Sequence, residues 1–451
     1  MGMKPDKGLG SRYARLRELA SAQLRSRLLR NIMTVVTGTA GAQALTMLFM
    51  PVITRLYGPE AYGILGVFMG VTLMLIPVAA LTYPMAIVLP KRDADARAIV
   101  RLSLMLAVAV ASIAGLLLYL FGDTVVNAMG IGEISPFLLL LPLVMFFGAC
   151  LESAQQWLIR KQLFAVTAKV AILHSLVHNS IRTAGGLIMA IPAVLVITTA
   201  FGSLLHAGML LLGIRKRNAK FDPAHNRRAE VRTNPLEPAR TYIDFPLFRA
   251  PQILINAVSQ NMPTIVLAAY FGPAVAGFFA LCKQSLSMPT HLIGKSVADV
   301  YYPKITQAIH RKEPITAMLA KAVAGLAVIG LIPFGFVFLT GPWLFAFVFG
   351  SEWETAGQFA RWLALAEYAI FISRPCTVAF PALQMQRLSL GFEVVSTILR
   401  LSALFIGAAV LGDGLSTVVA FTGASIVIYC ALISIALIES RRRYARGYER
   451  A

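Results

Sequence analysis

Charge is scarce in this chain, and negative charge is scarcest. Charged residues make up 14% of its 451 residues, against about 25% in ordinary soluble domains. Only 21 are Asp or Glu, against 41 Lys or Arg. So little polar surface excludes a water-soluble body of this length. Cysteine is nearly absent: Cys150, Cys282, Cys376 and Cys430 all fall in apolar runs, none with a neighbour at metal-ligand spacing. That excludes a disulfide framework and a thiolate metal site, and predicts buried structural thiols. There is no glycine-rich phosphate loop, which argues against direct use of ATP. The first 30 residues are basic but lack the apolar segment of a cleavable signal. Tyr13, Leu16, Ala20, Leu24 and Leu28 fall near helical spacing, with Arg between them. That stretch reads either as a short helix on the membrane surface or as a basic tail without structure.

What the chain has instead is apolar length. Hydrophobic residues make up 57%, and the mean hydropathy is +0.72. Runs long enough to cross a bilayer recur from end to end, so the fold class is all-α, a polytopic membrane protein. We place twelve spans near 33–55, 61–83, 99–121, 135–157, 164–189, 193–213, 249–271, 276–300, 317–340, 356–381, 388–411 and 415–438. The net charge of +20 raises nucleic acid as a partner, but the placement of the basic residues excludes it. Alternate connections receive them: the N-terminal arm, Lys91 to Arg97, Arg160 and Lys161, Arg215 to Arg240, Lys304 to Lys312, Arg387 and Arg441 to Arg443. The opposite turns carry Glu60, Asp123, Glu133, Glu352, Glu354 and Asp413, with Arg55 the borderline exception. This asymmetry predicts that both termini are cytoplasmic.

A short phrase occurs twice. Residues 56 to 63 read LYGPEAYG and residues 270 to 277 read YFGPAVAG. Gly58, Pro59 and Gly63 align with Gly272, Pro273 and Gly277, and VLPK at 88 to 91 is echoed by YYPK at 301 to 304. Each copy lies in a turn after an odd-numbered span. The expected organisation is a basic arm (1–32), a six-helix bundle (33–213), a cytoplasmic linker (214–248), a second six-helix bundle (249–438) and a basic tail (439–451). Six is even, so the halves share one orientation and a pseudo-twofold axis along the membrane normal relates them. Gly66 and Gly70 add a small-residue pair that permits close helix contact.

Charged side chains inside spans are costly and generally face a cavity or a partner. Span eight carries Lys283, Ser287, His291, Lys295 and Asp299 at intervals of four; span seven carries Asn256 and Gln260. Span five has His174, His178 and Arg182; span ten has Arg361, Glu367 and Arg374; span eleven has Glu393 and Arg400. Lys295, Asp299 and Arg361 are near enough to a surface to snorkel. Glu367 with Arg374, or Glu393 with Arg400, alternatively form structural ion pairs. The two histidines lack a third ligand, so no metal is expected; they read as a polar face or as proton-exchanging groups. The deep set is mostly cationic, which suits an anionic cargo and a phosphate in particular.

Six segments together carry a family resemblance: PVITRLYGPEAYG (51–63), AIVLPKRDADA (86–96), QQWLIRKQLF (155–164), DFPLF (244–248), FGPAVAGFFAL (271–281) and FVFGSEWETAG (347–357). With these the chain resembles the oligosaccharide flippases of bacterial surface-polysaccharide pathways. They are the Wzx-type branch of the multidrug/oligosaccharidyl-lipid/polysaccharide exporter superfamily. The resemblance implies two six-helix bundles around a central cavity in the bacterial inner membrane. It implies movement of a polyprenyl-diphosphate-linked oligosaccharide to the periplasmic leaflet by alternating access, for lipopolysaccharide or exopolysaccharide synthesis, without cofactor or catalysis. Implied partners are that lipid-linked oligosaccharide, membrane lipids, and polysaccharide polymerase and chain-length proteins. It favours spans one, two, seven and eight as cavity lining, hence Lys283, Lys295, Asn256 and Gln260, over Arg374 and Arg400. Arg182 completes the cationic set, and Glu367, Glu393, His174 or His178 are candidates for ion coupling. The chain departs from its relatives before AIVLP, where Thr82, Tyr83, Pro84 and Met85 replace a charged pair. The rival readings are a drug or cation antiporter of the same superfamily, and a membrane polysaccharide polymerase or ligase.

Overall fold

The computed structural model describes residues 7–221, 236–311, 313–383 and 385–445; within these, the side chains of 7–33, 35–36, 217–221, 236, most of 291–300, 303, 310 and 386–387 lie outside the described set. All regular structure among the described residues is helical. In chain order the helices are α1 (Lys7–Ala79), α2 (Asp93–Ala128), α3 (Leu140–Arg160), α4 (Phe164–Ile188), α5 (Pro192–Phe221) and the short α6 (Leu236–Thr241). They continue with α7 (Ala250–Phe271), α8 (Pro273–His310), α9 (Ile315–Phe349), α10 (Glu354–Ala382), α11 (Gln386–Leu411) and α12 (Gly414–Ala445). α1 is two arms, broken at Gly58 with φ 69° and ψ 174°. The two arms, α2 to α5 and α7 to α12 account for the twelve predicted spans. α1, α2, α5, α7 and α9 to α12 are long and apolar enough to cross a bilayer.

Local boundaries differ from the sequence expectation in four places. The second arm of α1 ends at Ala79, short of 83. Leu81 and Thr82 then take left-handed backbone (φ 48° and 58°), and a 3-10 turn covers Tyr83–Val88. Pro84 sits in the first turn of that 3-10 segment, where its missing N–H leaves no helix bond unmade. The basic arm is neither a separate short helix nor unstructured, because its backbone runs helical from Lys7 into α1; its amphipathic side chains lie outside the described residues. Within the expected linker (214–248), α5 extends to Phe221, and α6 and a π-helical turn at Phe245–Arg249 precede α7. Finally, only Cys282 and Cys376 are buried; Cys150 is half-buried and Cys430 is exposed, although all four are free thiols. A thiol on the outer face of a spanning helix meets hydrocarbon, where its weak polarity costs little.

The repeated phrase has one backbone and one role. Gly272 adopts φ 85° and ψ 169°, the geometry of Gly58, a region open to glycine at no steric cost. Each Gly ends one rod and the following Pro starts the next. The halves meet where α1 packs on α7 and α8, and there the two copies face each other. A Cβ on Gly63 would overlap the Pro273 carbonyl, and a Cβ on Gly277 would overlap the Pro59 carbonyl. Reciprocal contacts of this kind are what a twofold axis between the copies produces. Gly66 and Gly70 extend the same face toward Ala280 of α8 and Asn261 of α7.

At the opposite, basic end, two of the family segments clasp each other. Arg160 of QQWLIRKQLF donates to the carbonyls of Ile87, Pro90 and Lys91 and to the Asp93 carboxylate of AIVLPKRDADA; Lys161 pairs with the same carboxylate. The Arg160 side chain is only 9% exposed. Removing it leaves several acceptors unpartnered, so Arg160→Ala is expected to cost roughly 2–3 kcal/mol, read as a lower unfolding temperature in detergent. Burial alone would raise the Asp93 pKa, but the hydrogen bonds from Lys161 and Arg160 outweigh it and leave the group below its ordinary value. A depressed carboxylate pKa contributes stability above the unfolded value and loses it as pH falls through the folded one. Asp93→Asn should therefore be less stable than wild type at neutral pH and should converge with it below about pH 4. A gap that persists in acid would refute the linkage.

Candidate functional site

The Gly-Pro end is sealed by more than the paired glycines. Trp353, in the turn before α10, donates its indole N–H to the Thr54 carbonyl at 3.2 Å, and its ring meets Tyr62 edge-on. Arg55 donates to the Phe347 carbonyl at 2.7 Å, near the end of α9. That explains the single basic residue on an otherwise non-basic side: it caps a helix C-terminus, where a cation is favoured. Tyr62 reaches across the seam, its hydroxyl donating to Gln284 of α8 at 2.7 Å. None of these residues stands out by charge spacing. Arg55 is visible in the sequence as a topological exception, and Trp353 lies within a family segment.

Away from this seal the halves part. On the second arm of α1, residues 61 to 68 are buried almost throughout, whereas Met69 and Leu73 are exposed. On α7, residues 263 to 268 are buried, whereas Gln252, Asn256 and Gln260, which share one face, are exposed. Polar amides inside a span favour water over hydrocarbon. We therefore read the exposed faces as the border of a wet cleft, closed at the Gly-Pro end and open toward the basic end.

Beside the cleft, α7, α8, α10, α11 and α12 converge on a small cavity of about 40 Å³, whose lining includes Gln260, Lys283, Glu367, Arg400 and Tyr429. Lys283 donates its ammonium to the Gln260 carbonyl. Glu367 accepts from the Thr290 hydroxyl at 3.2 Å. Arg400, 5% exposed, lies over the Tyr429 ring at 5.2 Å. Asn256 donates to Glu393 at 3.0 Å, which ties α7 to α11. The fold thus brings together Lys283, Gln260, Glu367 and Arg400, with Arg374 within electrostatic reach of Glu367. Neither suggested structural ion pair is formed: among the described residues, Lys283, Arg374 and Arg400 pair with no carboxylate at contact distance. The Nε atoms of Arg374 and Arg400 are buried without a hydrogen-bond partner. Arg361 has partners on α9. It donates to the Phe338 carbonyl at 2.9 Å, four residues before Pro342, whose missing N–H leaves that acceptor open.

The other candidates stand apart, in the first half. Arg182 of α4 bonds the Thr199 hydroxyl of α5, and its own carbonyl accepts from Tyr57, next to the Gly58 break. Its Nε is likewise buried without a partner. His174 and His178 stack on each other, and His206 of α5, which carries no sequence signal, stacks on His174 at 4.4 Å. Stacked rings aim their nitrogens sideways rather than at one centre. Among the described residues no group of three or more His, Cys, Asp or Glu is placed to hold a metal. The side chain of Lys295 lies outside the described residues. Thr82 and Tyr83, from the stretch 82–85 without charge, hold the linker, donating to the carbonyls of Phe245 and Ala239.

Comparison with known proteins agrees with this architecture. The chain is 22% identical over 358 residues to a succinoglycan biosynthesis transport protein, ExoT, of Rhizobium meliloti strain 1021, covering 79% of this chain and 68% of that one. Its fold matches an inward-facing multidrug resistance MATE transporter of the MOP superfamily (TM-score 0.69, 14% identity, 92% of this chain and 99% of that one). It matches the lipid II flippase MurJ in an inward closed conformation equally well (TM-score 0.69, 13% identity, 92% of each). These likenesses establish the two-bundle, twelve-span fold. Residues 52–358, which contain the paired Gly-Pro turns, the Arg160 clasp and Lys283, match the model of one family along two thirds of the chain, and the chain belongs to that family, the polysaccharide biosynthesis proteins.

Proposed function

We propose that this protein carries a polyprenyl-diphosphate-linked oligosaccharide across the bacterial inner membrane, from the cytoplasmic to the periplasmic leaflet. The observation that carries the reading is a set of deep cations without carboxylate partners, beside a cleft open at one end. Lys283, with Asn256 and Gln260 on the cleft face, would meet the diphosphate, for which charge-assisted hydrogen bonds are the natural recognition. The glycan would occupy the wet cleft while the polyprenyl tail stays in lipid. The 40 Å³ cavity behind Lys283 has room for little more than water or a small ion. Glu367 and Arg400 therefore suit a coupling role better than direct contact with the cargo. The bundles at 33–213 and 249–438 would rock so that the Gly-Pro seam parts as the basic end closes. By the preference of basic loops for the cytoplasmic side, the open end of the cleft and both termini would face the cytoplasm. A polymerase and chain-length proteins would act on the delivered oligosaccharide.

The likeness to a drug transporter does not favour the antiporter reading, because fold is shared across this superfamily and the deep residues here are mainly basic. The deciding experiment is reconstitution into vesicles with a defined lipid-linked oligosaccharide and a lectin that reads one leaflet. Protein-dependent translocation is expected. Extrusion of organic cations without movement of the oligosaccharide would reject the proposal.

A further inference from the structure

A groove on the outer face of the first half has no part in the cleft. It runs between α2 and α5 over α3, with a volume of about 520 Å³, and its lining includes Arg97, Arg101, Leu104, Trp157, Leu211 and Ile214. α1 packs against a different face of α3, where Gly148 meets Ile76. The groove therefore opens away from the cleft, toward the bilayer, and its neighbours Met105, Val108 and Leu212 are exposed apolar side chains.

Its two ends differ in chemistry. Arg97 and Arg101 lie four residues apart on one face of α2. They sit four and eight residues in from Asp93, about 6 and 12 Å along the axis. That is the depth of lipid headgroups and the first carbons below them. Trp157 marks the same level: its ring lies under the Lys161 ammonium at 5.5 Å, and tryptophan favours the membrane boundary. Segments 91–101 and 160–161 together carry six basic and two acidic side chains; Asp93 and Asp95 are paired with Arg160, Lys161 and Arg92, and Arg97 and Arg101 bring the positive charge to the mouth. Deeper in, Leu104, Leu211 and Ile214 form an apolar slot. A cationic mouth above an apolar slot, between spanning helices on the basic side, fits one kind of molecule.

We infer that this groove binds an anionic phospholipid, with its phosphate on Arg97 and Arg101 and an acyl chain along Leu104 and Leu211. Such a lipid would join α2 to α5 on the side remote from the cargo path and would be retained through purification.

The test is native mass spectrometry of the full chain released from bilayers of equal phosphatidylglycerol and phosphatidylcholine. Wild type is expected to keep phosphatidylglycerol selectively. Arg97→Gln with Arg101→Gln should weaken retention about fivefold per arginine removed. Leu211→Trp, which leaves both arginines but fills the slot, should also lose the lipid, and it keeps the test decisive if the double variant misfolds. Arg311→Gln, at the same end but outside the groove, should behave as wild type. Equal retention of the two lipids, or unchanged retention in both groove variants, would overturn the inference. So would displacement of phosphatidylglycerol by a polyprenyl diphosphate added at equal concentration.

Discussion

Gly63→Leu should abolish transport while leaving a folded protein trapped with its Gly-Pro end apart. In the sealed state a side chain at position 63 would have to occupy the space of the Pro273 carbonyl, and backbone cannot yield as a flexible side chain does. The sealed state is therefore lost. The state in which the halves part at that end carries no such clash, so the substitution acts on the balance between states and not on each bundle. Moving a population from 1:99 to 99:1 takes about 5.5 kcal/mol, and a backbone overlap exceeds that. Gly277→Leu should do the same by the reciprocal contact with Pro59. Gly66→Ala is the graded control, because its Cβ would meet the Ala280 methyl at 3.0 Å, a contact that small shifts relieve. The measurement is transport together with labelling of a cysteine placed at Met69, in a background lacking the native thiols. Wild type should label from the basic side; Gly63→Leu should not. Wild-type transport by Gly63→Leu would disprove the proposed gate.

Lys283→Met should reduce oligosaccharide translocation by roughly ten- to a hundredfold, the range of one charge-assisted hydrogen bond, without loss of membrane insertion. The ammonium is held by the Gln260 carbonyl beside the exposed Gln260 and Asn256 face. Met keeps the apolar stem and removes the charge. If Lys283 holds the diphosphate, added pyrophosphate should compete in wild type and not in the variant. Arg182→Ala should have a smaller effect on affinity: its side chain bonds Thr199, and the bond to Tyr57 uses its backbone carbonyl, which survives the substitution. Transport by Lys283→Met within twofold of wild type would remove Lys283 from the site.

Much of this architecture is legible in the order of the residues. The paired Gly-Pro phrase is local backbone chemistry, and Gly58 and Gly272 take nearly the same dihedral angles 214 residues apart. The spacing of charge along the spans also singles out Arg182, Lys283, Arg374 and Arg400 as deep, and sets Glu367 and Glu393 on the same spans as Arg374 and Arg400. It cannot say that Glu367 is bonded by Thr290 rather than Arg374, or that Glu393 is held by Asn256 rather than paired with Arg400. Those outcomes depend on which helix faces which. Helical spacing fixes the faces within one rod and says nothing of its neighbours. His206 escapes notice for the same reason: it stands alone on α5, and only the packing of α5 on α4 stacks it on His174.

The solvent, the number of crossings, the two like halves and the turns that begin their second rods can all be read along the chain. Each follows from hydropathy or from the dihedral limits of glycine and proline, which act over a few residues. Tertiary structure alone decided that the two Gly-Pro turns meet and seal one end. It also decided that Lys283, Arg374 and Arg400 collect in the second half while Arg182 stands apart in the first, and that Arg55 and Arg361 hold backbone carbonyls near helix breaks. Those contacts join residues far apart in the chain, and their geometry is set by how whole helices pack, which no local pattern records.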